Sequence, residues 1–134
     1  MCNFYTQPGS IVLTTKVVGR TTAWAVAFHS ALALKNQVSD EDVQAIRERR
    51  LPSAPKHAAL SGLARQLIER RGHVSAAELQ LFLNAGFKQE HILEILTILA
   101  ASTITNYAAT IANRRWNRSS RNTLGTRKLK SDRL

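Results

Sequence analysis

Few side chains in this chain are able to do chemistry, and His29 is the most informative of them. The sequence holds four histidines and one cysteine, Cys2, among 134 residues. A lone cysteine excludes an internal disulfide and a cysteine-based zinc site. No two histidines have the i, i+4 spacing at which one helix face holds a metal. We therefore predict no metal and no cofactor, and we expect His57, His73 and His91 to be solvated surface residues.

The sequence pattern around His29 and along the rest of the chain predicts an all-α fold of about five helices. The alanine- and leucine-rich run over residues 22–35 favours a helix. Ser39 and Ser75 are suitable N-cap residues for two more helices, the second with a capping-box pattern. Apolar residues at helical spacing predict further helices over residues 56–71 and from residue 88 to about residue 112. The last of these is apolar around much of its circumference, which is typical of a central core helix.

The two ends of the chain lack this clear pattern. Pro8-Gly9 is typical of a turn, and Ile11-Val12-Leu13 fits either a short strand or one buried helical turn. The sequence therefore divides into a degenerate N-terminal segment (1–21), a helical domain (22–112) and a basic tail (113–134). The tail has too few apolar residues to anchor it, so we predict that it is disordered.

The net charge of +10 is concentrated in the basic tail. Residues 113–134 hold eight lysines and arginines against Asp132, whereas the remainder of the chain carries eleven basic and eight acidic residues. Flexible basic segments neutralise phosphates without sequence specificity, and Trp116 is able to stack on a base. Nucleic-acid binding through the tail is therefore one open function. The other interpretation is that the tail has no role and its basicity is accidental, which we favour.

The sequence predicts a cytoplasmic protein that does not enter a membrane. We expect no apolar run of the length that spans a bilayer, because Lys16, Arg20, His29 and Lys35 interrupt the richest region. The N-terminal residues also lack the basic stretch and apolar core of a signal peptide.

The chain from residue 26 to residue 112 resembles the alkylhydroperoxidase D / carboxymuconolactone decarboxylase family. No single short match is specific, but the order and spacing of the matches over about 85 residues are specific. The matching segments are Ala27-Phe28-His29-Ser30-Ala31-Leu32-Ala33, Val38-Ser39-Asp40-Glu41, Ala45-Ile46-Arg47, Leu51-Pro52, Ala58-Ala59-Leu60, Arg71-Gly72-His73-Val74-Ser75, Phe82-Leu83-Asn84-Ala85-Gly86-Phe87 and Asn106-Tyr107.

This resemblance implies a thiol peroxidase site from which the reactive groups are missing. Peroxidases of the family carry Cys-x-x-Cys-x-x-x-His on one helix and a relay glutamate before it. The cysteine positions fall on Thr22 and Ala25, the glutamate position falls on Ser10, and only His29 matches. Because the thiolate is the nucleophile, the chain as written is expected to lack dithiol peroxidase activity.

The resemblance also implies an all-α alkylhydroperoxidase-like domain that assembles as a dimer, trimer or hexamer. Two alternatives remain open for its function. One is a carboxymuconolactone decarboxylase-like enzyme, a group in which the dithiol can be absent. The other is a non-enzymatic helical module with a nucleic-acid-binding tail. Turnover of peroxide only after the cysteines are restored would favour the peroxidase ancestry, and function without them would favour a binding module.

The loss of resemblance is confined to two blocks, before Val26 and after Ala112. Acidic residues are missing from the same regions, since none precedes Asp40 and none lies between Glu94 and Asp132. A change of reading frame alters whole blocks, whereas gradual divergence alters scattered positions. We therefore hypothesise that both ends are translated from a shifted frame, which the codons for these two blocks would test directly.

Overall fold

The computed structural model describes residues 6–18 and 23–131, with only the backbone described for Trp24 and residues 113–131. Over these residues it contains six helices and no strand, so the all-α prediction is confirmed with one helix more than expected. The helices are α1 (Gln7–Val17), α2 (Ala23–Lys35), α3 (Asp40–Arg47), α4 (Pro55–Glu69), α5 (Ala76–Asn84) and α6 (Gln89–Ser131).

The chain divides into two compact units, Met1–Ala101 and Ser102–Leu134. The first unit contains α1 to α5 and the beginning of α6, and the second contains the rest of α6. The bounds of α6 include residues 113–131 of the predicted tail. No side chain beyond Ala112 is described, and the predicted disorder of residues 113–134 stays a prediction.

The core of the first unit draws on every helix in it. Its largest fully buried side chains include Ile11 from α1, Ile46 from α3, Leu60 from α4, Phe82 from α5 and Ile95 from α6. The ring of Phe82 also stacks on that of Phe87, with 4.5 Å between the ring centres. Apolar burial of this kind is the main stabilising contribution to a small helical domain.

The segment before residue 18 is a helix, which settles the choice between a strand and a helical turn at Ile11-Val12-Leu13. The hydroxyl of Thr6 accepts a hydrogen bond from the Gly9 N–H and caps α1. Pro8 therefore lies in the first helical turn, where its missing N–H costs nothing. The predicted Pro8-Gly9 turn is wrong for this reason.

The buried face of α1 is partly polar, and this hides its helical pattern in the sequence. Ser10, Thr14 and Thr15 are all buried. The hydroxyls of Thr15 and Ser61, on α4, are 2.9 Å apart, and the Asn36 side-chain amide donates to the Ser10 hydroxyl at 2.6 Å. Buried hydroxyls are tolerated here because each has a hydrogen-bond partner.

The predicted caps of α3 and α5 are confirmed. The Ser39 hydroxyl accepts from the Asp42 N–H at the start of α3. At the start of α5 the Ser75 hydroxyl accepts from the Glu78 N–H, and the Glu78 carboxylate accepts from the Ser75 N–H. Both orphan N–H groups of this capping box are therefore paired.

Three helices of the first unit are followed by a non-glycine residue in the left-handed conformation. Gln37, Arg49 and Arg71 have φ values of 64°, 60° and 53°. After α2, for example, the Val38 N–H reaches back to the Ala33 carbonyl, as in a Schellman motif. Glycine is the usual residue at this position because a Cβ is unfavourable there.

Candidate functional site

The predicted site lies where α1 meets α2. The Thr14 hydroxyl lies 2.8 Å from the carbonyl oxygen of Ser10 and 3.1 Å from that of His29. One hydroxyl proton is thus shared between the two backbones. The bond to Ser10 lies within α1, and the bond to His29 links α1 to α2, so the structure joins the backbones at the expected glutamate position, Ser10, and the expected histidine position, His29.

The imidazole of His29 is half-buried at this meeting point. Its Nδ1 is inaccessible to solvent and has no hydrogen-bond partner among the described residues. The ring packs edge-on against Phe28, with 5.2 Å between ring centres. Burial lowers the pKa of His29, because the charged imidazolium loses hydration. A neutral imidazole is therefore the favoured form near neutral pH.

The positions expected to carry cysteines offer no reactive atom. Ala25 is buried and lies four residues before His29 on α2, which places the two on one helix face. Thr22 lies outside the described residues. Ser10 supplies only a hydroxyl, and this accepts from Asn36. The site consequently holds a histidine and buried hydroxyls, without a carboxylate at the relay position.

A second polar cluster joins α3 to α4, and sequence reasoning missed it. The Asp42 side chain is 2% exposed, and its carboxylate accepts from the backbone N–H and the hydroxyl of Ser53 at 2.8 and 3.0 Å. The other carboxylate oxygen lies 2.6 Å from Nδ1 of His57. The expectation that His57 is a solvated surface residue is therefore wrong, since it pairs with a buried acid.

The Asp42 carboxyl keeps its charge despite its burial. Burial opposes ionisation, but hydrogen bonds from His57, Ser53 and the backbone of Ala54 outweigh this effect and lower the pKa of Asp42. A buried carboxylate with this many donors fixes the path of the chain between two helices. We assign the pair a structural role, because both carboxylate oxygens of Asp42 are occupied by donors from Ser53, in the loop between α3 and α4, and from His57 on α4.

The other two histidines differ from each other. His73 is exposed, as predicted. His91 is half-buried, its Nδ1 accepts from the Lys88 N–H at 2.9 Å, and its ring packs edge-on against Phe87. Its role is to cap the start of α6. Within the described part of the chain, no group of three or more His, Cys, Asp or Glu side chains is placed to hold a metal ion.

The surface of α6 is more apolar than predicted. Residues 95–113 contain no charged side chain, and the stretch Gln89–Ala112 is long and apolar enough to cross a membrane by length and composition alone. The expectation that no such run exists is wrong. The residues that interrupt an apolar run all lie before residue 36, and the long apolar run lies in α6. Leu93 and Leu96 are exposed, although they lie on the helix predicted to be a central core element. The cytoplasmic location stays a prediction.

The second unit carries exposed apolar residues of its own. Ile104, Tyr107 and Ile111 have most of their surface open to solvent, and their spacing of three and four residues places them on one helix face. Tyr107, which lies on the helix predicted to be a central core element, is 69% exposed.

No protein-family model matches this chain, and no curated protein matches it either. The resemblance to the alkylhydroperoxidase-like family therefore rests on the residues of this sequence alone.

Proposed function

We propose that this chain is an alkylhydroperoxidase-like helical protein without the thiol peroxidase step. The single observation that carries the proposal is the link through Thr14 between Ser10 and His29. These two positions are 19 residues apart in the sequence, and the resemblance assigns them to one proton relay. The shared hydroxyl holds α1 against α2 at the backbones of these two positions, which supports the proposal of a relay scaffold, and the missing thiol and carboxylate are what prevent the reaction.

The test is to restore the missing groups in the full chain. The unmodified protein is expected to consume an alkyl hydroperoxide with dithiothreitol no faster than buffer does. The variant Thr22→Cys/Ala25→Cys is expected to consume it, because the two thiols that the family motif places before the histidine are then present. Adding Ser10→Glu is expected to raise the rate further, since a carboxylate near the imidazole assists proton transfer.

A matched control separates restored chemistry from general thiol reactivity. The variant Ala23→Cys/Ala27→Cys carries a dithiol on exposed positions of the same helix. It is expected to show only the slow reaction of free thiols. Circular dichroism checks that each variant keeps its helical content. Equal rates for the two dithiol variants, with helicity intact, would refute the proposal, as would thiol-dependent turnover by the unmodified chain.

We also propose that the protein self-associates, in keeping with the expected dimer, trimer or hexamer. Support comes from the exposed face of Ile104, Tyr107 and Ile111, since apolar patches of this kind mark interaction surfaces. The variant Ile104→Glu/Tyr107→Glu is expected to sediment as a smaller species than the unmodified protein. Ala109→Glu, exposed on the opposite face, is expected to leave the mass unchanged. A monomeric unmodified protein, or one that partitions into lipid vesicles, would contradict self-association.

A second candidate function, nucleic-acid binding, is favoured by the charge of residues 113–134. Eight basic residues in this segment predict retention on DNA at low salt that falls steeply as salt rises. Removal of residues 113–134 is expected to abolish the retention. Retention that persists without the tail, or that does not respond to salt, would exclude this function.

A further inference from the structure

A separate cleft lies on the first unit, between α1, α3 and α4. Its volume is about 380 Å³, at the small end of the range for ligand sites. The apolar part of its wall comes from Val18, Ile46 and Ile68. A ligand of a few carbon atoms fits within a space of this size, with room for several waters beside it.

The polar part of the wall is positively charged. Lys16, Arg49 and Arg65 line the cleft, against one acidic residue, Glu69. The Arg49 guanidinium is held 2.8 Å from the Glu69 carboxylate, which uses one of its five N–H groups. Arg65 donates to the carbonyl oxygens of Arg49 and Arg50, at 2.8 and 3.2 Å. Both guanidinium groups are therefore oriented beforehand and keep donors for an anion.

The Lys16 amine is set apart from the other lysines by its environment. Its Nζ donates to the carbonyl oxygen of Leu99 on α6, which fixes the end of an otherwise flexible side chain. Burial lowers the pKa of Lys16 to about 8, because the ammonium form loses hydration. A much larger share of free amine is present near neutral pH than for a solvated lysine, and the free amine is the nucleophile.

We propose that this cleft takes a small 2-oxo acid, which Lys16 captures as an imine while Arg49 and Arg65 hold the carboxylate. The lone pair of Nζ attacks the carbonyl carbon, forming a C–N bond and breaking the carbonyl π bond. The resulting carbinolamine loses its hydroxyl as water after protonation, and a C=N bond forms. One amine and one oxo acid thus give one imine and one water, with no change of oxidation state.

Glyoxylate with cyanoborohydride tests this assignment on the full chain, because the hydride traps the imine as a stable carboxymethyl-lysine. Peptide mapping after brief exposure at pH 7.4 is expected to show Lys16 modified at least about tenfold faster than Lys88, whose side chain is 74% exposed. The comparison is made among lysines, since the terminal amine also titrates near pH 8. Modification of Lys16 no faster than of Lys88 would overturn the proposal.

The carboxylate-binding half of the proposal is tested by charge. Acetaldehyde is of similar size and uncharged. With it, the ratio of the modification rate at Lys16 to that at Lys88 is expected to be several-fold smaller than with glyoxylate. Arg49→Gln is expected to lower the glyoxylate rate at Lys16 by about fivefold through loss of a charged hydrogen bond. The control Arg70→Gln removes a similarly exposed arginine, paired with Glu78 and outside the cleft, and is expected to leave the rate unchanged. Equal preference for the two aldehydes, or equal effects of the two substitutions, would overturn carboxylate recognition.

Discussion

In α3, α4 and α5 the signals that set each helix lie within a few residues of it, whereas α1 and α2 are held by partners far along the chain. Ser39 and Ser75 cap their own helices, and Pro55 begins α4. In contrast, Thr15 pairs with Ser61, and Lys16 reaches Leu99. The candidate functional groups, His29 and Lys16, both lie in the region held by distant partners.

This difference between locally and distantly determined helices indicates which part of the chain holds the candidate functional groups. Local signals fix where α3 and α5 begin, and the hydroxyls of Ser39 and Ser75 are used in these caps. The helices held by distant contacts bury polar groups that serve no cap, such as the Nδ1 of His29 and the amine of Lys16. Buried titratable groups of this type are enriched at functional sites.

The largest expected effect comes from breaking the buried contact between α3 and α4 at Asp42. Asp42→Ala is expected to lower the free energy of unfolding by about 3 kcal/mol, because the hydrogen bonds from Ser53 and His57 lose their buried, charged acceptor. Chemical denaturation at pH 7 measures this change. The stabilising contribution of Asp42 is present above its unfolded pKa and is lost as the pH falls through the lowered pKa of the folded state.

Asp40→Ala is the control for this change, since Asp40 is exposed in the first turn of the same helix. Its loss is expected to cost at most about 1 kcal/mol, the usual size of an interaction with the helix dipole. Similar losses for Asp40→Ala and Asp42→Ala would show that the buried cluster adds nothing to the local signals.

The next effect concerns the hydroxyl pair that joins α1 to α4. Ser61→Ala is expected to cost about 1–2 kcal/mol, because Thr15 is left with an unpaired hydroxyl in a buried position. The double variant Thr15→Val/Ser61→Ala is expected to be more stable than the sum of the single changes predicts, since neither polar group then remains. A double-mutant cycle by thermal or denaturant unfolding measures the coupling. Strict additivity would mean that the two hydroxyls do not interact.

A smaller effect is expected at the capping box of α5. Ser75→Ala removes the acceptor for the Glu78 N–H and is expected to cost about 1 kcal/mol. Ser75→Asp retains an N-cap acceptor and is expected to recover most of this loss. Denaturant unfolding of the three proteins provides the measurement. If Ser75→Ala were as damaging as Asp42→Ala, the contrast between local and distant signals would not hold.

The last expected effect is a change in how stability depends on pH, and it is not a loss at a single pH. Burial lowers the pKa of Lys16 from 10.5 to about 8, so the unfolded chain binds more protons than the folded one between these values. The folded state is therefore expected to gain stability relative to the variant Lys16→Met as the pH rises from 8 to 10.5. Unfolding curves of both proteins across this range test the sign. A constant difference would show that the amine has an ordinary environment.

The sequence was a good guide to the locally determined helices because their signals are contiguous. The caps at Ser39 and Ser75 and the helical class of the fold are confirmed. The helix α1 was missed because Ser10, Thr14 and Thr15 face the interior, which erases the apolar periodicity on which such predictions depend.

The candidate site was taken from the resemblance, and its role stays a prediction. The Thr14 hydroxyl that links the backbones of Ser10 and His29 had no signal of its own in the sequence. The pairing of His57 with Asp42 was missed because the acid lies 15 residues earlier and becomes buried only when α3 packs on α4. Burial and distant partners are properties of the folded chain, and single-residue patterns do not contain them.

The three left-handed residues that follow α2, α3 and α4 make this chain a convenient starting point for heat-stable variants. At Gln37, Arg49 and Arg71 a side chain occupies a backbone conformation that costs about 1 kcal/mol without compensation. Glycine would remove that cost, although greater freedom of the unfolded chain offsets part of the gain. Gln37 and Arg71 do not line the cleft of Lys16. Glycine at these two positions is therefore expected to change thermal stability without changing any activity of that cleft.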